Sequence, residues 1–214
     1  MSKFWDKYTS QKSFTSFPMH ILKDYAKGNV LDLGCGDGTH AGMVREFFTG
    51  QLYAIDPSEQ IINKAKNNFS DINFKTASAY KLPYQDNFFD LIYSIDVIEH
   101  LKEPQKMLIE VQRILKPGGV IIFQTPNYPI KRVYDFYNVI AKKNWRQSFK
   151  DDPTHFYKFT ALKLKKMCSK YFVVIDFMTR NIFLEKKLKF LKNKKDKMPW
   201  ILFGQKSIII LKKK

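Results

Sequence analysis

The stretch Val30-Leu31-Asp32-Leu33-Gly34-Cys35-Gly36-Asp37-Gly38-Thr39 decides how this chain folds. Val30–Leu33 is apolar apart from Asp32 and reads as a short strand. Three alternating glycines then turn the chain, and a helix is expected from about His40, with Val44, Phe47 and Phe48 on one face. Strand, glycine turn and helix are how an α/β domain offers main-chain N–H groups to a nucleotide-like ligand. Gly34 and Gly36 are read as letting the backbone come close to that ligand, since no Cβ intervenes.

The spacing narrows the ligand. A dinucleotide fingerprint is G-x-G-x-x-G and a phosphate loop ends in Gly-Lys-Ser/Thr. Here the third glycine falls at Gly38, Thr39 occupies the place of the last fingerprint glycine, and no lysine follows. Asp32, two residues before Gly34, repels a pyrophosphate and suits a ligand carrying an ammonium or sulfonium group.

The 214 residues suffice for one α/β domain, and a hydrophobic fraction of 44% marks a folded chain. The N-terminus shows no signal-peptide pattern, and no apolar run reaches membrane-spanning length, so a cytoplasmic protein is expected. Cys35 and Cys168 are far apart with no C-x-x-C spacing, so neither a disulfide framework nor a metal site is expected. The formal net charge of +17 admits nucleic acid or an anionic membrane as partner, although lysine is spread along the whole chain.

Further along, Gln51–Ile55 reads as a second strand ending at Asp56, which stands twenty residues after Gly36. An acid at that tip can accept hydrogen bonds from both hydroxyls of a ribose. The competing reading makes Asp56 the N-cap of a helix over Glu59–Asn68, a role Ser58 can fill equally well. Ile72–Lys75, the apolar Leu91–Ile95 and Val120–Phe123 follow as strands three to five, the last preceded by a turn at Lys116-Pro117-Gly118-Gly119. Thr160 caps a helix to Tyr171, Tyr171–Met178 is strand six and Ser207–Leu211 is strand seven.

The segments VLDLGCGDG, IDPSEQI, LPYQDNFFDLIYSIDVIEHL and RILKPGGVIIFQTPN, spanning Val30 to Asn127, resemble in order and spacing the class I S-adenosylmethionine-dependent methyltransferases. The Glu99-His100 pair and the later DPTHFYKFT segment, Asp152 to Thr160, resemble the ubiquinone-biosynthesis O-methyltransferases and the small sugar methyltransferases of surface-polysaccharide pathways. The resemblance implies a Rossmann-like α/β fold: a seven-stranded, mostly parallel sheet with helices on both faces and the last strand antiparallel. It implies a single domain over 1–214, with an N-terminal helical cap over 1–27, an insertion or lid over 128–152 and a basic insertion over 181–204.

S-adenosyl-L-methionine is the implied cofactor, with Asp32, Gly34, Cys35, Gly36, Asp56, Pro57, Ser78, Ala79 and Ile95 as its site. Ser78 departs from the aspartate usual there for holding the adenine amino group. The expected base or acceptor-orienting group is His155, with Asp96 and His100 as alternates; a purely structural role for His155 competes. The expected acceptor is a small metabolite, sugar or lipid-linked molecule. Peripheral membrane contact is expected through the aromatic and basic stretches, Tyr134, Trp145 and Phe149 in one and Lys186 to Lys197 in the other. RNA as acceptor and a cofactor-binding pseudoenzyme acting as a structural partner are the alternatives.

Overall fold

In the computed structural model, the structure describes residues 17–128, 130–133, 153–180 and 204–214. Most of the cap, the 128–152 insertion and the 181–204 insertion therefore lie outside the described residues, together with their aromatic and basic stripes. The elements in chain order are α1 (Met19–Tyr25), β1 (Asn29–Leu33), α2 (Thr39–Arg45), β2 (Gln51–Asp56), α3 (Glu59–Asn68), β3 (Asn73–Thr76) and β4 (Phe89–Ile95). A single 3-10 turn (Ile98–His100), α4 (Pro104–Ile114), β5 (Leu115–Pro126), α5 (Ala161–Cys168), β6 (Phe172–Arg180) and β7 (Lys206–Lys213) complete it.

One seven-stranded sheet has the order β3-β2-β1-β4-β5-β7-β6. Strands β1 to β5 pair in parallel, and β7 runs antiparallel to both neighbours, β5 and β6. Side-chain alternation along the strands feeds two cores. Leu31, Leu33, Ile92, Ile121, Phe123, Ile209 and Leu211 face α4 and α5 through Leu108, Val111, Ile114 and Leu164. Val30, Leu91, Tyr93, Ile122, Ile208 and Ile210 face α1, α2 and α3 through Leu22, Val44 and Ile62. Helices therefore cover both faces, and β1, β4 and most of β5 and β7 read as near-continuous apolar runs because they are buried on both sides. No helix among the described residues is long and apolar enough to cross a membrane.

Local chemistry explains the boundaries. Ser58 Oγ accepts from Ile61 N–H at 3.4 Å, so Ser58, not Asp56, caps α3. Thr160 caps α5 in the same way, accepting from Lys163 N–H at 3.2 Å. Strand β5 begins earlier than the sequence reading, at Leu115. Phe89 opposes Leu115 and Leu91 opposes Val120, so the four residues Lys116 to Gly119 bulge out against the single Asp90. Gly118 carries the bend at φ +74°, which costs glycine little.

Asn127 fastens the end of β5 to two other segments. Its Nδ2 donates to the Gly204 carbonyl at 2.8 Å, its Oδ1 accepts from Ala161 N–H at 3.0 Å, and its own N–H donates to the Gln205 carbonyl at 2.8 Å. Tyr128 N–H donates to the Phe159 carbonyl and Tyr157 N–H to the Glu99 carbonyl, so the segment ahead of α5 is laid over the ends of β4 and β5. Asn127→Ala strips the Gly204 carbonyl and the Ala161 N–H of buried partners. Denaturant unfolding is expected to show a loss of about 1–3 kcal/mol, against no change in the far-ultraviolet circular dichroism of the folded state.

Candidate active site

The loop after β1 is built by its glycines. Gly34, Gly36 and Gly38 have φ of +82°, +54° and +83°, a region other residues rarely enter. Gly34 and Cys35 donate their N–H groups to the Ile55 carbonyl at 2.8 and 2.9 Å, which ties the loop to the end of β2. Their glycine requirements differ. A Cβ on Gly34 would lie 2.4 Å from Val97 Cγ2, and one on Gly38 would meet Phe74 and Phe69. A Cβ on Gly36 would meet nothing within 4 Å. Gly34 is therefore required by packing against the turn after β4, a reason the sequence reading did not give, while Gly36 faces open space among the described residues.

Asp56 ends β2 and joins the two loops. Its Oδ2 accepts from Gly36 N–H at 3.2 Å and its Oδ1 accepts from Ser58 N–H at 2.9 Å. Each oxygen keeps a further lone pair for a ligand hydroxyl. Burial raises the carboxyl above its usual range, against the two backbone donors that favour the charged form. Asp32 lies deeper, 2% exposed, and its Oδ2 has no hydrogen-bond partner among the described residues. Burial pushes its carboxyl up to about 7, opposed by the neighbouring Tyr93 and reinforced by the Asp56 charge. Cys35 is buried and its thiol is held well above the ordinary range, first by burial and then by Asp32 and Asp56, so it is a packing group and no nucleophile. Pro57 is exposed beside Asp56. Ser78 Oγ accepts from Tyr80 N–H at 3.2 Å, and Ala77 N–H donates to the Asp56 carbonyl, so the loop bearing Ser78 and Ala79 is tied to the same corner.

The second half of the site forms where β4, β5 and β7 meet. Asp96 follows Ile95 with φ +56°, strained for a non-glycine residue, and it forms a close ion pair with Lys206 at the start of β7. Its Oδ1 has no hydrogen-bond partner among the described residues. His40 is drawn down by burial first, with Asp96 and Asp37 acting the other way and Lys206 in the same direction. Glu99, 1% exposed, accepts at Oε2 from Thr125 Oγ1 at 2.8 Å, while Oε1 has no hydrogen-bond partner among the described residues. Burial, and then the Asp96 charge, raise its carboxyl.

The histidines 55 residues apart in sequence meet here. The rings of His100 and His155 lie 4.5 Å apart between centroids at 71°. His100 Nδ1 is 2.8 Å from Thr154 Oγ1 and 3.3 Å from the Thr154 carbonyl, and His155 Nδ1 is 2.9 Å from the Tyr128 hydroxyl. One ligand-capable atom from each of Glu99, His100 and His155 lies within 4.8 Å of the others, so the three have the geometry to hold a metal ion, which the sequence reading did not foresee. Asp96 stands on the same turn but is engaged by Lys206. Sequence reasoning thus missed Lys206, His40, Thr125, Tyr128 and the inward aim of Glu99. The signal for Glu99 was its place beside His100; the β7 lysine had none, being 110 residues from its partner.

Comparison with known proteins agrees with this geometry. Residues 31–123 match the family described as "Methyltransferase domain". A ubiquinone biosynthesis O-methyltransferase of Neisseria meningitidis is 26% identical over 182 residues, covering 78% of this chain and 74% of that protein. An uncharacterized methyltransferase of Schizosaccharomyces pombe is 34% identical over 115 residues, covering 48% of this chain and 41% of its own length. A crystal structure of a SAM-dependent methyltransferase from Aquifex aeolicus superposes with a TM-score of 0.69 at 18% identity, covering 100% of this chain and 99% of that one. The matched segment, the sheet order and the corner at Gly36 and Asp56 resemble those of class I S-adenosylmethionine-dependent methyltransferases. The chain spans about half the length or less of several of the curated relatives it matches, 41% and 51% for two of them.

Asp32 carries a pH prediction. Its folded-state pKa of about 7 lies above the value of about 3.8 for an unfolded aspartate. The neutral carboxyl is the form the fold favours, so this contribution is complete below about pH 4 and is lost as pH rises through about 7. Asp32→Asn removes the ionisation. The stability of the ligand-free wild type relative to this variant is therefore expected to fall between pH 4 and pH 8, read by denaturant unfolding at each pH.

Proposed function

We propose that this chain transfers the methyl group of S-adenosylmethionine to an oxygen of a small metabolite, a sugar or a lipid-linked acceptor. The observation that carries the reading is the shared edge of the sheet. The Gly36–Asp56 corner at the ends of β1 and β2, and the His100–His155 pair beyond the ends of β4 and β5, lie on the carboxyl side of parallel strands, across the switch in strand order. The similarity to the Neisseria O-methyltransferase, which extends over most of both chains, supports oxygen as the acceptor atom.

S-adenosylmethionine supplies a methyl group already activated on a sulfonium. The residues of the chain then have to bind, orient and move one proton. Asp32 and the glycine turn over Gly34, Cys35 and Gly36 border the amino-acid end, with Ile95 beside it. Asp56 accepts from the ribose hydroxyls, and Pro57, Ser78 and Ala79 border the adenine. Holding the acceptor oxygen in line with the methyl group supplies several kcal/mol of the barrier. His155, steadied by the Tyr128 hydroxyl, takes the acceptor proton, worth on the order of 10²–10⁴-fold for a high-pKa hydroxyl. His100 and Asp96 flank it and shape the polar floor. No Asn-Pro-Pro-Tyr motif follows β4, where Asp96-Val97-Ile98-Glu99 stands instead, which weighs against amide or adenine nitrogen as acceptor.

The second reading, RNA as acceptor, draws only on the net charge of +17. Methyl-labelled S-adenosylmethionine incubated with size-fractionated cell extract separates the two: label is expected in small metabolites or lipids, and label in RNA would overturn the acceptor class. Asp56→Ala is expected to weaken S-adenosylhomocysteine binding in calorimetry by tenfold or more. His155→Ala is expected to leave that affinity within about twofold while lowering transfer by about 10²-fold or more. Full transfer by His155→Ala would remove it as the base, and cofactor binding with no transfer to any fraction would favour a non-catalytic cofactor binder.

A further inference from the structure

We propose that the groove bordered by the start of α4, the segment ahead of α5 and α5 itself is a binding site for a nucleoside diphosphate. The site goes beyond methyl transfer and does not rest on it, because the groove shares no residue with the Gly36–Asp56 corner or the His100–His155 pair. It encloses about 600 Å³. Small-ligand sites run to roughly 300–1,000 Å³, so the groove has the scale of one small molecule.

Its rim is cationic. Lys158 stands on the segment ahead of α5, Lys163 and Lys166 are one turn apart on α5, and Lys170 follows the helix end. Among the described residues no carboxylate lines the groove, and Lys163, Lys166 and Lys170 form no ion pair. Leu164 and Cys168 turn into the core, which leaves the lysines on the outer face of a helix whose start is fixed by the Thr160 cap. Side chains three apart on a helix lie about 5–6 Å from each other at Cβ, and like charges there repel. An anion between them turns that repulsion into attraction. Two linked phosphates bring the charge and the acceptor oxygens that a row of ammonium groups can share.

The wall is aromatic. Phe159 is buried beneath the groove, and the Tyr157 ring stacks on it at 5.6 Å between centroids and 14° between planes. Phe156 is 52% exposed, a large ring left in water beside the lysines, with Lys102 Nζ 5.3 Å from its centroid. Tyr171 also lines the groove, its carbonyl held by Gln112 Nε2 at 2.9 Å. Exposed rings next to cations stack nucleobases. The exposed Gln105 amide in the same lining both donates and accepts, which suits a base edge. An isoprenoid tail offers neither a planar ring nor polar edges, so the rings and the amide favour a nucleoside as the other half of the diphosphate ligand.

Calorimetry of the full chain with uridine diphosphate tests the site, since this probe lacks the adenine and the amino-acid end of the proposed cofactor. One equivalent is expected to bind, at least about tenfold more tightly than inorganic diphosphate, uridine or geranyl diphosphate. The double variant Lys163→Gln, Lys166→Gln is expected to weaken uridine diphosphate by about tenfold or more. Phe156→Ala is expected to weaken it by about fivefold or more and to leave inorganic diphosphate within about twofold. Both variants alter exposed side chains, and unchanged far-ultraviolet circular dichroism confirms that they fold. Asp56→Ala is expected to leave uridine diphosphate affinity within about twofold. Absence of heat, full affinity in the double lysine variant, or loss of affinity in Asp56→Ala would overturn the site. So would inorganic or geranyl diphosphate binding as tightly as uridine diphosphate, or RNA or anionic phospholipid vesicles displacing it at matched phosphate concentration. S-adenosylhomocysteine calorimetry on the same samples reads the cofactor corner, so failure of the groove with that heat retained leaves the methyl-transfer reading standing. Loss of that heat with uridine diphosphate still bound defeats the methyl-transfer reading alone.

Discussion

One carboxylate, Asp56, holds the cofactor half of the site in place. It reaches from the end of β2 to the N–H of Gly36 on one side and to the N–H of Ser58 on the other. Charge-assisted bonds of this kind are stronger than neutral ones. The Ile55 carbonyl adds two more bonds to the glycine turn from the neighbouring residue. The loop after β1 and the start of α3 are thereby fixed relative to each other, and that corner is the one proposed above to receive a ribose.

Around this corner the domain concentrates acid in a chain that is otherwise strongly basic. Asp32, Asp56, Asp96 and Glu99 lie along one edge of the sheet, and burial raises Asp32, Asp56 and Glu99 above the usual carboxylate range. Among the described residues, Asp96 is the one of the four in an ion pair with a lysine, Lys206, whose charge also reaches Glu99. Raised carboxyl groups in a concave polar site are characteristic of binding and catalytic positions. On the proposed function they are the complement of a ligand that brings its own positive charge, the ammonium and sulfonium of the nucleoside.

Much of this was legible in the chain. The strand, glycine turn and helix after Val30, the acid twenty residues beyond Gly36 and the helix over Glu59–Asn68 all depend on local periodicity and short spacing, and they stand as read. Family likeness gave His155 and His100 only as alternative candidates; that their rings meet was not expected, since nothing local links them. What the sequence left out needed three-dimensional neighbours. Gly34 is glycine because Val97 leaves no room for a Cβ, a contact made across the sheet from the turn after β4. Lys206 reaches Asp96 from the last strand, and Tyr128 reaches His155 from the end of β5. Charges and hydroxyls at strand ends carry no periodic signature, so their partners appear only once strand order is known. The start of β5 was read late because four bulged residues look like a free turn.

The most direct test of the account is amide chemical-shift mapping of the isotope-labelled chain during titration with S-adenosylhomocysteine. The account predicts that the largest changes fall on Gly34 through Gly38, on Asp56 through Ser58 and on Ser78 and Ala79, and that Asp56→Ala abolishes them at matched ligand concentration. Saturating ligand that leaves those amides unmoved, or that shifts only residues on β6 and α5, would contradict it.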